Sequence, residues 1–189
     1  MITSAEREFA LKVLDETRDA LLSTLEGLSP EQLSYRPEPD RWSVADNTEH
    51  VIVVEGRLVR AIARLLSGPP DVAAQPAMND QEVLHRTETV LERLQSPENV
   101  LPASRWPTPQ LSREFETVRQ TTRNFASVSN GDLRRYFIPH PVFGNLDAYQ
   151  WLLFIGAHSQ RHMLQSKSVI ASVNFPSATV KSGTPGRTL

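Results

Sequence analysis

Along the first 28 positions the apolar residues Ala10, Val13, Leu14, Leu21, Leu25 and Leu28 recur at helical intervals, with Glu, Lys, Asp and Arg between them. That period puts them on one buried face of an amphipathic helix over roughly residues 5–27, and Gly27 suits its end. "SPEQ" (29–32) reads as a small capping box with proline at the first helical position. After the two prolines of "RPEPDRWSVAD", Ser43 is a good N-cap with Asp46 three residues on. The helix it starts carries Val44, Val51, Leu58, Ile62 and Leu65 on its apolar face and runs to about Ser67, where "SGPP" stops it.

A shorter helix is expected over 81–95, with Val83, Leu84, Val90, Leu91 and Leu94 as its apolar positions. "SPENVLPASRWPTPQ" (96–110) has four prolines and no period, so it is an irregular connection. A further helix spans Leu111–Val128 and ends at "SNGD". "YFIPHPVFGN" (136–145) reads as loop, and a long last helix runs from about Leu146 to Ala171. No repeat and no alternating strand pattern occurs. The fold class is therefore all-α: a four-helix bundle with long connections and one extra short helix. Residues 1–175 are expected to form that bundle, followed by a polar tail over 176–189.

Composition narrows the function classes. The 189 residues fit one domain with a core of its own. Lys and Arg number 20 against 22 Asp and Glu, so the net charge of -2 offers no electrostatic footprint for nucleic acid. The absence of cysteine removes disulfides, thiolate ligands and cysteine nucleophiles together. The charged, periodic N-terminal stretch differs from the apolar centre of a signal peptide. "WLLFIGA" (151–157) is too short to cross a bilayer. The expectation is a cytoplasmic protein with a small-molecule substrate and neither nucleic acid nor membrane as partner.

The chemistry concentrates in "GAHSQRHMLQ" (156–165). His158 and His162 lie four positions apart on the last helix, separated by about 40° in azimuth and about 6 Å in rise, and so share one face. The same face carries Trp151, Ile155 and Val169, with Gln165 one turn beyond. Two imidazoles in an apolar row cost roughly 1–3 kcal/mol each unless something satisfies them. An isolated pair of this kind is more often a hydrogen-bonded core pair than a ligand pair. The alternative is a metal site that draws a third ligand from elsewhere. His50, two turns into the second long helix, is the natural third. His85, in the short charged helix, reads as solvated, and His140, in "PHPVFG", as the lock of a turn.

The segments "RWSVADNTEHVIVVE" and "HPVFGNLDAYQWLLFIGAHSQRHMLQ", with the spacing between them, resemble the DinB-like (YfiT-like) superfamily of metalloenzymes. The resemblance runs from the first helix through the last. Its most specific parts are Trp-Ser before a histidine-bearing helix, the His-Pro-x-x-Gly loop and the closing His-x-x-x-His. It implies an unusual four-helix bundle in which His50, His158 and His162 are the metal ligands and the helix at 81–95 is an insertion. It also implies a homodimer.

Three imidazoles leave positions open on a divalent ion, the layout of a catalytic site. Zinc or nickel is expected first, with iron, cobalt and manganese also compatible with imidazole. The ion could activate water or a substrate oxygen, or present a low-molecular-weight thiol as thiolate. By resemblance, members of the family include transferases that use bacillithiol or mycothiol, and hydrolases. The expectation is thus a metal-dependent thiol S-transferase or hydrolase. Set against it are a non-catalytic, metal-binding or stress-associated bundle and an interaction protein with core histidines. Around the site, Asp46 is read as a helix cap before a partner of His50, Gln165 as a group supporting the histidines, and Arg57 and Arg161 as surface cations within reach of a substrate anion.

Overall fold

The computed structural model describes residues 1–89 and 97–177. Four long helices, α1 (Ser4–Leu25), α3 (Val44–Leu65), α5 (Leu111–Val128) and α6 (Ala148–Ile170), carry the core, with α2 (Pro30–Ser34) and α4 (Asp80–Thr89) in the connections. α1 packs on α6 and α5, and α3 packs on the same two helices, which closes a four-helix bundle; α4 lies outside it against α6. Two helix starts are sealed by side chains at the predicted places, whereas α5 starts without a side-chain cap. Ser29 and Gln32 form one capping box and Ser43 and Asp46 another. Gly27 ends the first long helix with φ +75, a left-handed conformation that glycine adopts without a Cβ penalty.

α6 is the axial element. Its first ten residues, Ala148 to Ala157, are all buried, because α1, α3 and α4 cover it on different sides. Gly156 is where α1 comes closest: a Cβ there would stand 2.5 Å from Cγ1 of Val13. The bundle is also tied by charge. The guanidinium of Arg119 on α5, 0% exposed, donates to both oxygens of Glu55 on α3 (2.8 and 2.9 Å), to Ser159 Oγ on α6 (2.6 Å) and to Thr17 Oγ1 on α1 (2.8 Å).

The connection before α6 differs from expectation. Phe137–His140 (β1) and Gly144–Asp147 (β2) pair antiparallel, with Phe137 opposite Asp147 and His140 opposite Gly144. Four-residue strands are too short to display a period of two, and Pro139, which cannot donate to a ladder, argues against a strand from sequence. The three residues between the strands make a turn that Gly144 closes at φ +74. Leu146 consequently belongs to β2. α6 starts two residues later behind a capping box of Asp147 and Gln150. In the short helix, Val83 is buried on α4, whereas Val90, Leu91 and Leu94 lie outside the described residues, as does the tail from 178.

Candidate functional site

Capping sets the position of the first histidine. Ser43 donates its backbone N–H to Asp46 Oδ2 (2.8 Å) and accepts from the Asp46 N–H (3.0 Å), while Arg36 pairs with the same carboxylate at 2.9 Å. Asp46 is therefore engaged at the helix start. One turn later His50 projects from α3 toward α6, where His158 and His162 occupy successive turns. Ligand atoms of the three rings all lie within 4.8 Å of one another. His50 and His162 are buried, at 3% and 7% exposed, and His158 is half-buried.

Hydrogen bonds fix which nitrogen of two rings carries the proton. His50 Nδ1 stands 2.8 Å from the carbonyl of Val100, which only accepts, so the proton is on Nδ1 and the Nε2 lone pair is free to face the cluster. Asn47 donates its Nδ2 to the Ser43 carbonyl (2.9 Å), which turns its Oδ1 toward His162 Nδ1 at 3.0 Å. His162 accordingly presents Nε2 as well. That atom is 3.2 Å from His158 Nε2. Two nitrogens bound to a tetrahedral ion at about 2.0–2.1 Å stand about 3.3 Å apart, so this pair already has the separation that a shared ion requires.

The electrostatics agree with a set of neutral ligands. Burial pushes the His50 ring below the usual imidazole range, against an opposing contribution from the Val100 carbonyl. Burial pushes His158 and His162 well below it, aided by the neighbouring histidines and the Arg161 charge. A hydrogen bond with Gln165 works the other way on His162. At neutral pH these rings hold lone pairs, which is the form a metal needs.

The triad borders a cavity of about 1030 Å³, within the range of small-molecule sites. Trp42 covers one flank, its ring 4.9 Å from His50 and 5.8 Å from His162 between centroids. On the other flank Phe154 stacks on His158 at 5.4 Å. The remaining sequence candidates separate clearly. Arg161 and Gln165 line the cavity, whereas Arg57 reaches the Asn99 carbonyl at 3.4 Å on the surface. His85 is exposed on α4. His140 locks its turn, accepting the N–H groups of Val142 and Phe143 on Nδ1 at 3.1 Å each, and its ring also lines the cavity.

Two participants, Asn47 and the Val100 carbonyl, escaped the sequence reading, as did the role of Trp42. Asn47 lies three positions before His50, one turn away on the same helix side, so helical spacing could have found it. Trp42 stands out in the sequence only as part of the Trp-Ser motif, and its contact with the rings gives it a place at the site. The Val100 carbonyl could not have been found at all, since a backbone oxygen in an irregular segment has no sequence signature. Glu49 holds that segment in place. Its carboxylate accepts the N–H groups of Ala103 (2.7 Å) and Arg105 (3.1 Å) and pairs with the Arg105 guanidinium at 2.6 Å.

Comparison with known proteins gives the family and the fold. The family model of the DinB superfamily matches residues 13–166. The Bacillus subtilis (strain 168) protein YuaE is 28% identical over 163 residues, covering 84% of this chain and 96% of that one. The solved structure of YfiT from Bacillus subtilis superposes with a TM-score of 0.54 at 15% identity, over 90% of this chain and 89% of YfiT, and carries the same fold. YfiT is described as a probable metal-dependent hydrolase with an unusual four-helix bundle topology.

Proposed function

This chain belongs to the DinB superfamily, and from that premise we propose that it is a divalent-metal-dependent enzyme acting on small molecules, with His50, His158 and His162 as the ligands. The observation that carries the proposal is the convergence of three neutral imidazoles, two with their tautomers fixed so that Nε2 faces inward. A core histidine pair would need no third ring and no matched tautomers. The hydrolase type attributed to YfiT and a thiol S-transferase type both suit a three-histidine ion with open positions.

When bound, the ion would supply Lewis-acid activation of a substrate oxygen or of water, or hold a low-molecular-weight thiol as thiolate. The protein supplies the rest. Val100 and Asn47 hold two of the rings in orientation, which keeps the ligand geometry from relaxing as charge changes on a substrate. Trp42 and Phe154 exclude water from the flanks of the triad. Arg161 places positive charge on the cavity wall, where a substrate anion would be attracted.

The test is metal analysis of untagged protein followed by turnover assays. About one divalent ion per chain is expected, with zinc or nickel the first candidates. Ester and amide hydrolysis measured beside transfer from bacillithiol or mycothiol to an electrophile separates the two reaction types. Protein that takes up no divalent ion from micromolar solution would end the proposal.

A further inference from the structure

The cavity beside the triad is divided. On α6 Trp151 and Phe154 lie on the N-terminal side of His158, and Arg161 and Gln165 on the C-terminal side, with Val169 at the far end. α3 runs the opposite way, since His50 meets His158 and His162 while Leu58, two turns further on, packs in the same cluster as Trp151. Val54 and Leu58 therefore join the apolar half, and the hairpin adds Val142 and Phe143 to it. The opposite half is lined by Glu38, Asp40 and Arg41 from the connection before α3, with Trp42 next to them against the histidine rings. The histidines stand at the boundary.

The aromatic surface of the apolar half is continuous. His140 stacks on Phe143 with centroids 4.4 Å apart and meets Phe154 at 5.1 Å; Phe154 meets Trp151 at 5.1 Å and His158 at 5.4 Å. A substrate bound at the triad thus has an apolar wall of stacked, tilted and edge-on rings beginning one ring away from the ligand nitrogens. Two of the apolar residues at this cavity, Val142 and Leu101, are 50% and 38% exposed. Side chains of this kind gain from being covered by an apolar group.

We propose that the substrate is an amphipathic small molecule whose reacting group sits at the triad between a polar portion and an apolar alkyl or aryl body, with that body lying in the half lined by Phe154, Phe143, Val54 and Leu58. This rests on the metal-dependent reading above. The division of the walls sets the direction in which the molecule lies: its apolar body points toward the hairpin and the start of α6, and its polar portion toward Glu38 and Arg41. Small, fully polar molecules would leave the exposed apolar side chains of this half, Val142 among them, uncovered and bind weakly.

Hydroxamates test this because they bind divalent ions through one end and vary freely at the other. Calorimetry on zinc-loaded protein would compare acetohydroxamate, butyrohydroxamate, hexanohydroxamate and benzohydroxamate with a chain of equal length ending in carboxylate. Affinity should rise about three- to fourfold for each methylene that is buried, and the carboxylate-ended chain should lose that gain. Val142→Asp, at an exposed position that leaves the core intact, should abolish most of the gain while acetohydroxamate binding stays unchanged. Phe154→Ala should flatten the series as well, read relative to acetohydroxamate on the same variant because this ring also flanks His158, and Val142→Asp carries the test if Phe154→Ala fails to fold. A flat series in protein that does bind zinc and acetohydroxamate would overturn the apolar subsite and leave the metal reading standing. A gain that survives both substitutions would place the tail elsewhere and overturn it too. Failure to load zinc would overturn the metal reading, and this proposal with it.

Discussion

Asn47 Oδ1 accepts the Nδ1 proton of His162 across the α3–α6 interface at 3.0 Å, and Asn47 sits one turn before His50 on the same helix. One α3 segment thus supplies both a ring of the triad and the group that orients another ring. The Asn47 amide cannot turn over without giving up its bond to the Ser43 carbonyl, so the cap of the helix and the tautomer of a ring on its neighbour are coupled.

Replacing Asn47 with alanine should therefore weaken divalent-metal affinity by about 10- to 100-fold, the usual cost of removing a group that orients a ligand, while the helical circular dichroism stays unchanged. Asn47→Asp restores an acceptor for His162 and should recover much of that affinity. Competition titration with a chromogenic chelator measures both. Equal metal affinity in wild type and Asn47→Ala would show that the contact orients nothing.

The buried pair of Arg119 and Glu55 makes a separate prediction about stability. Both side chains are essentially inaccessible to solvent, so removing one partner leaves an uncompensated charge in the core. Glu55→Ala or Arg119→Ala should each cost about 3–5 kcal/mol. Replacing the two together with Leu and Met should cost far less, because no orphan charge remains. Urea unfolding of the single and double variants gives the coupling directly.

Sequence reached the four long helices because each carries an apolar stripe of period 3.6 long enough to stand out. It reached the caps because Ser29 and Ser43 are followed at the right distance by Gln32 and Asp46. The hairpin was out of reach for the opposite reason: four-residue strands held by backbone pairing leave no period, and Pro139 spoke against them. At the site, His158 and His162 declared themselves by their i, i+4 spacing. No helical rule links position 50 to position 162; His50 is a candidate by its place on the second long helix and a ligand by family resemblance, and the ring contacts now supply the geometry. Arg119 did not stand out on α5, since a residue buried by four partners on three other helices looks no different in sequence from a solvated one.

His140 should make the metal-free protein sensitive to mild acid. Burial holds its ring at a pKa of about 4, below the ordinary value of 6.5. Between those limits the unfolded chain binds the proton more readily than the native one, so stability falls as the pH falls. The contribution is complete above about pH 6.5 and is lost progressively toward pH 4. Asn at this position keeps an acceptor for the Val142 and Phe143 N–H groups but does not titrate. In chelator, the urea midpoint of His140→Asn should consequently drop less between pH 7 and pH 5 than that of wild type. Parallel losses in the two proteins would remove His140 as the source.

The decisive comparison is between two histidines with opposite surroundings. His158 stands 3.2 Å from its neighbour in the triad, whereas His85 is exposed on α4. His158→Ala leaves two imidazoles, too few to retain a labile divalent ion against dilution, and most of the metal affinity should go with it. The fold should survive, because the apolar stripes of α1, α3, α5 and α6 are untouched and the Arg119 network still ties the four helices together. Hydrolytic or thiol-transfer turnover should disappear with the ion, and His85→Ala should match wild type in both metal content and rate. Metal analysis, circular dichroism and the turnover assay on the same three preparations separate loss of the ion from loss of the fold. If His158→Ala remained fully active in a strong chelator, the chemistry of this protein would not pass through the triad at all.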